Sequence, residues 1–277
     1  MYKDLLVPLN GTAGDEAVLG LSAALADSHD AHLAVLVTAA LMLPIAYEAG
    51  AIPADLFANL HEVERARASL VAQHARERLL PAAISWEVRL VETFLLPSSH
   101  VAVRHAHQAD LCVIAAGNGA HDPAPDLFVD LLVGSGRPVL VVPPHYLPRS
   151  GKRYAVVAWQ PTREAARAVH DALPLLKDAE QIDVLVVDPQ LAANDHDLMP
   201  GADIATHLAR HGLTVNVVAI PSLGESTAAA ILRFVVESGA DLLVAGGYSH
   251  SRWREQLLGG VTRSLLARAP VPVLFSH

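Results

Sequence analysis

Short apolar runs alternate with longer amphipathic stretches along the whole chain. "DLLVPLN" (Asp4–Asn10) leads into the Ala-rich segment "GDEAVLGLSAALADSHD", which gives way to a second apolar run, "AHLAVLVTA". Later, "YAVVAWQ" (Tyr154–Gln160), "TREAARAVHDALPLLKD" and "IDVLVVDP" follow the same order. Continuous apolar runs of this length are what strands show when helices cover both faces of a parallel sheet. "ISWEVRLVE" and "LTVNVVAIP" alternate instead, which predicts third strands near a sheet edge. A long helix is predicted from about Leu56 to Leu80, where "EVERARASLVAQHARERLL" has a period of 3.6 and charged outer positions.

The pattern repeats. "ADLCVIAAG" from Ala109 matches "ADLLVAGG" from Ala240, and each half closes on a Pro-led strand, "RPVLVVPP" from Arg137 and "VPVLFSH" from Val271. Matching features in the same order make the chain a tandem duplication. Each half reads as five strands alternating with four helices, which predicts a doubly wound α/β sheet with right-handed crossovers. "PPHYLPRSGKR" (Pro143–Arg153) reads as the linker, so the expected domains are 1–146 and 147–277.

Composition narrows the function. The 277 residues are 52% hydrophobic and 5% aromatic, as expected for aliphatic cores. A formal charge of -9 argues against nucleic-acid binding, which needs a basic face. The lone Cys112 excludes an internal disulfide and fits a reducing compartment. No run approaches the about 18 apolar residues of a membrane span, and "MYKDLLVPLN" lacks the features of a secretory signal. The expectation is a cytoplasmic protein.

In open α/β sheets, ligands sit beyond the C-terminal ends of the strands, where strand order reverses. The segment "GGYSHSRWREQLLGG" (Gly246–Gly260) leaves a fourth strand at such a place and enters "VTRSLLARA". Glycines here allow close backbone approach, and free amides at a helix start attract phosphate. Arg252, Arg254 and Arg263 add positive charge. The alternative is that the glycines only make a tight strand exit and a helix start. No P-loop lysine accompanies them, since Gly151–Lys152 lacks the earlier glycine.

"VAGGYSHSRWREQLLGGVTRSLL" resembles the nucleotide-loop signature of universal stress proteins, Gly-x2-Gly-x9-Gly-(Ser/Thr), and the "VPLN" and "VAWQ" strand ends resemble that family too. The resemblance spans the chain as two fused copies. It implies two tandem Rossmann-like domains of the adenine nucleotide alpha hydrolase-like kind, each a five-stranded parallel sheet of order 3-2-1-4-5. Some members bind ATP and others do not. Position by position, the signature's glycines fall on Gly246, Ser249 and Gly259, and its Ser/Thr on Gly260. Ser249 is a departure that crowds the turn if the backbone there needs positive φ. Gly260 loses the hydroxyl, and Val261 and Thr262 follow in register, with Thr262 a substitute hydroxyl.

At the adenosine end, the family's acidic residue is replaced by Gln160 in the second half and Asn10 in the first. Ala158, Val187 and Ala245 line an adenine slot or are ordinary core. His250 lies inside the loop as either a site residue or an exposed one. The resemblance therefore implies ATP or another adenine nucleotide, with Mg2+, in the second half only. In the first half, "NGAHDPAPDLFVDLLVGSG" carries Asp122, Asp126 and Asp130 with Pro123 and Pro125, and lacks the glycine pair. Carboxylates there repel a triphosphate.

Fusion also lets Val139–Val142 meet Val271–Phe275 within one chain, an intramolecular pseudo-dimer that leaves a homodimer open. Of the fifteen histidines, His100, His105 and His107 cluster in sequence, but helical spacing spreads them over different faces. Cys112 is expected to be buried and inert, Ser135 has no nucleophile elbow, and Trp253 is expected to pack across the loop. The reading is a non-enzymatic tandem universal stress protein. The rivals are a scaffold with both sites silent and, with no acid–base pair to name, an ATP-hydrolysing enzyme.

Overall fold

The computed structural model describes residues 1–41, 54–94, 96–117, 124–148, 153–189, 200–247 and 259–277. These fall into two compact units: Met1–Ala115 with His121–Arg137, and Ala116–Ala120 with Pro138–His277.

The first unit runs β1 (Asp4–Leu9), α1 (Asp15–His29), β2 (His32–Ala40), α2 (Ala54–Leu79), β3 (Ser85–Thr93), α3 (Ser98–Ala106), β4 (Leu111–Ala115) and α4 (Ala124–Gly134). Its strands lie in the order β3-β2-β1-β4 and pair in parallel, with Leu5 opposite both Leu33 and Leu111. β1, β2 and β4 are buried almost throughout, whereas β3 at the edge is half-buried, as its alternating sequence predicts.

The second unit takes β5 (Val139–Val142), then β6 (Tyr154–Ala158), α5 (Arg163–Leu176), β7 (Gln181–Val187), α6 (Ala202–Arg210), β8 (Val215–Ile220), α7 (Thr227–Ser238), β9 (Leu242–Gly246), α8 (Gly260–Arg268) and β10 (Val273–Ser276). The order is β5-β10-β9-β6-β7-β8. Read from the far edge, β8-β7-β6-β9-β10 is the order 3-2-1-4-5, all parallel. β5 falls in the first repeat by sequence but pairs antiparallel with β10, Leu140 opposite Leu274. All four of its residues are buried, as is Phe275 opposite Val139.

One contact recurs in both units and accounts for the repeated "AD". Asp110 Oδ2 accepts from the amides of Lys3 (2.6 Å) and Asp4 (3.1 Å), and Asp241 Oδ2 accepts from the amide of Tyr154 (3.1 Å). A carboxylate just before the fourth strand thus holds the first strand's entry in register. Helix starts are fixed locally as well: Thr162 caps α5 by accepting from the Ala165 amide (3.3 Å), and Ser226 caps α7 through the Ala229 amide (3.2 Å). No described helix is long and apolar enough to cross a membrane.

Candidate functional site

Parallel strands bring their C-terminal ends to one edge, so the second unit gathers several of the expected residues there. Ala158 ends β6 between Leu185 of β7 and Ala245 of β9. Val187 ends β7, and Gly246 ends β9 beside Ser276. Gln160 follows β6 as an exposed residue whose backbone oxygen accepts from the Thr162 amide (2.7 Å). Ser249 and His250, with Arg252, Trp253 and Arg254, lie outside the described residues.

Each glycine has its own physical reason. Gly246 has a negative φ, and a Cβ there would sit 2.6 Å from the Ala165 nitrogen and 2.8 Å from the Glu164 carbonyl carbon. The first turn of α5 crosses the end of β9 so closely that only glycine fits. Gly247, next in line, donates to the Ser276 oxygen (2.8 Å), and its own oxygen meets His277 Nδ1 (3.2 Å). Gly259 and Gly260 differ. Neither has a positive φ, and a Cβ on either would meet no atom within 4 Å. They open α8, whose N-terminus has no side-chain cap among the described residues. Since α8 connects two parallel strands, it runs antiparallel to them and its start lies at the strands' C-terminal edge. First-turn amides without intrahelical partners are left there. Val261 is exposed in this turn, while Thr262 is buried with Leu265.

Sequence reasoning missed Glu164. It is buried at the start of α5, where its carboxylate accepts from Arg163 Nε (2.6 Å). Burial pushes its pKa up, but the Arg163 hydrogen bond, its own backbone amide and His277 outweigh that and hold it below the usual range.

In the first unit the corresponding edge is built differently. Asp15 closes the turn after β1 by accepting from the Gly11 amide and the Thr12 hydroxyl, each at 2.9 Å. Burial pushes its carboxyl above the ordinary range despite these bonds. Arg67 of α2 donates to the backbone oxygens of Asn10 (3.1 Å) and Thr38 (3.0 Å) and pairs with Glu64 at 2.7 Å. Beside these strand ends lies a cleft of about 280 Å³ that reaches the starts of α3 and α4. α4 begins at Ala124. Asp126 lines the cleft, Asp130 pairs with His100 (3.9 Å), and Asp122 and Pro123 lie outside the described residues.

The three clustered histidines go separate ways. His100 faces Asp130, His105 Nδ1 accepts from Arg89 (3.1 Å), and His107 Nε2 meets the Gly134 oxygen (3.2 Å). Among the described residues, no group of three acids, cysteines or histidines is arranged to hold a metal. Cys112 is fully buried in β4, and burial pushes its thiol up to about 12, so it is no nucleophile at neutral pH. Ser135 donates to the Leu131 oxygen (2.5 Å) at the end of α4.

The architecture is that of doubly wound α/β proteins with a ligand edge at the strand ends. Residues 153–277 match the model of the universal stress protein family. A universal stress protein from Archaeoglobus fulgidus DSM 4304 shares the fold with a TM-score of 0.70 at 17% identity, over 99% of this chain and 96% of that one. A putative universal stress protein from Pseudomonas aeruginosa UCBPP-PA14 does so with a TM-score of 0.58 at 17% identity, over 99% and 93%. A functionally unknown protein from Pseudomonas aeruginosa PAO1 gives 0.60 at 16%, over 99% and 92%. No curated protein gives a significant match.

Proposed function

We propose that the whole chain is a tandem universal stress protein of two domains, 1–146 and 147–277, located in the cytoplasm, and that its second domain binds an adenine nucleotide, ATP with Mg2+. The observation that carries this reading is the start of α8. Gly259 and Gly260 are required neither by φ nor by packing, and they leave open space over uncapped helix amides. Such a helix start favours phosphate through its free N–H groups and its dipole. Ala158, Val187 and Ala245 lie along the same edge as the adenine side, and Gln160 supplies an amide where a charge would otherwise hold the nucleoside. Gly246, Ser249, His250, Val261 and Thr262 complete the proposed surround, Gly246 chiefly by admitting α5.

The protein acts on this reading by binding and not by catalysis: occupancy alters the surface that 246–260 presents to a partner. The intrachain pairing of β5 with β10 takes the place of a contact between separate copies.

Calorimetry with ATP and Mg2+, alongside mass spectrometry of whatever heat-unfolded protein releases, tests the proposal. Binding is expected, and Gly260→Val weakens it at least tenfold with an unchanged melting temperature. Absence of both binding and released nucleotide defeats the proposal. It then leaves the reading favoured by the uncharged Gln160 and the buried Thr262, a scaffold with both sites silent.

A further inference from the structure

β3 lies at the edge of the first unit and, among the described residues, pairs with β2 alone. Its outer side therefore leaves backbone N–H and C=O groups without a ladder partner, the template on which a further strand adds. Charges on an edge strand ordinarily keep such a strand away. The order of side chains on β3 makes a second copy of the same strand the exception.

Successive side chains alternate between the faces of a strand. Glu87 and Arg89 share the face on which His32 of β2 and His105 of α3 reach them, while Trp86, Val88 and Leu90 share the other. Trp86 and Val88 are half-buried and Leu90 is exposed. Glu87 is bonded within the chain through Oε1 alone: it accepts there from Arg89 Nε (2.8 Å) and Nη2, with His32 Nε2 at 3.4 Å. That leaves Oε2 without a partner among the described residues. Arg89 donates from Nη1 to His105 (3.1 Å), and each Nη keeps one further N–H.

Identical strands that pair antiparallel about a twofold axis normal to the sheet bring residues of one face opposite residues of the same face. With Val88 on the axis, Glu87 stands opposite the second copy's Arg89, and Arg89 opposite its Glu87. Trp86 then stands opposite Leu90, also twice, and Ser85 opposite Val91. Moving the axis to Glu87 or to Arg89 sets that charge against its own copy, which is unfavourable. The strand thus carries its own register. β5 and β10 are not open to a second copy in this way, since they pair with each other inside the chain.

We propose that the chain forms a homodimer through β3, antiparallel to the β3 of a second copy with Val88 on the axis, Glu87 and Arg89 exchanging charge and Trp86 and Leu90 closing the apolar face. Sedimentation velocity on the full chain over a range of concentrations tests it, and a reversible dimer is expected. Glu87→Arg and Arg89→Glu, made singly, are each expected to weaken self-association at least tenfold. Mixed in equal amounts, the two single variants are expected to associate with each other, because each supplies the charge that the other faces. Both substitutions in one chain restore the homodimer. On oxidation Val88→Cys cross-links two copies, since opposed Cα atoms about 4.5–5.5 Å apart suit a disulfide, whereas Val91→Cys does not. The proposal is overturned by a parent chain that stays monomeric, or by a dimer that either single variant leaves intact. It is equally overturned by single variants that melt like the parent yet fail to associate when mixed, or by equal cross-linking of the two cysteine variants.

Discussion

The two halves share an architecture and close their ligand edges by different means. In the second unit, α5 begins directly after Thr162 and its first turn lies on Gly246. The first unit has Ala115 at the matching end of β4, and α1 begins only after Asn10–Gly14, a turn that Asp15 ties together from within. A single methyl group at the end of the fourth strand thus goes with the way the first helix starts. What remains differs too. The first unit keeps a cleft with an acidic wall, and the second keeps an uncapped glycine helix start. The two units share a scaffold, and the groups at their strand ends differ in charge, a carboxylate in the first and helix-start amides in the second.

Exchanging the fourth-strand residue breaks the comparison most directly. Gly246→Ala drives a Cβ into backbone, which cannot rotate aside as a side chain could. It is expected to cost about 3 kcal/mol in thermal or denaturant unfolding. Ala115→Gly should cost under about 1 kcal/mol. A neutral Gly246→Ala would mean that α5 does not approach so closely. Next in size, Thr162→Ala removes the α5 cap and is expected to cost about 1 kcal/mol, with faster hydrogen exchange in the first turn of α5 and not of α1. Equal change in both helices would refute the local origin.

The smallest effect concerns pH. His207 of α6 stacks edge-on between His170 of α5 and His211, with ring centroids 5.1 and 4.8 Å away. Its Nε2 is buried without a hydrogen-bond partner among the described residues. Burial, then His170, His211 and Arg210, hold its pKa below the ordinary value, while β7 and β8 present Val184, Val186 and Val217 to the start of the helix. The unfolded chain therefore binds more protons at this site. Its contribution is complete above the unfolded value of about 6.5 and is lost as pH falls below it. In the first unit His105 is shifted the same way, by burial and then by Arg89 and Arg104. Melting temperatures measured from pH 7.5 down to 5.5 should fall, and His207→Phe should flatten the fall. An unchanged slope in that variant would locate the pH dependence elsewhere.

Much of this was legible in the sequence. Continuous apolar runs and the 3.6-residue periods gave the strand and helix order, and the alternating third strands are the half-buried β3 and β8. The spacing from Gly246 to Gly260 marked the edge of interest. Other features were not legible, because they depend on distant partners. Asp110 and Asp241 were visible as a repeat but not as the carboxylates that hold the first strands. Glu164 looked like an ordinary first-turn acid until the fold buried it.

The sequence by itself determined the alternation of elements and the duplication, because periodicity and repeat are local properties of a chain that must bury one face of each element. The tertiary structure alone decided which glycine the fold demands and where space remains. Gly246 and Gly260 are the same residue in the sequence. One is there because a helix backbone lies against it, and the other faces open space at a helix start. In the same way Asp126 became the acidic wall of a cleft only once the ends of β1 and β2 were brought beside α4.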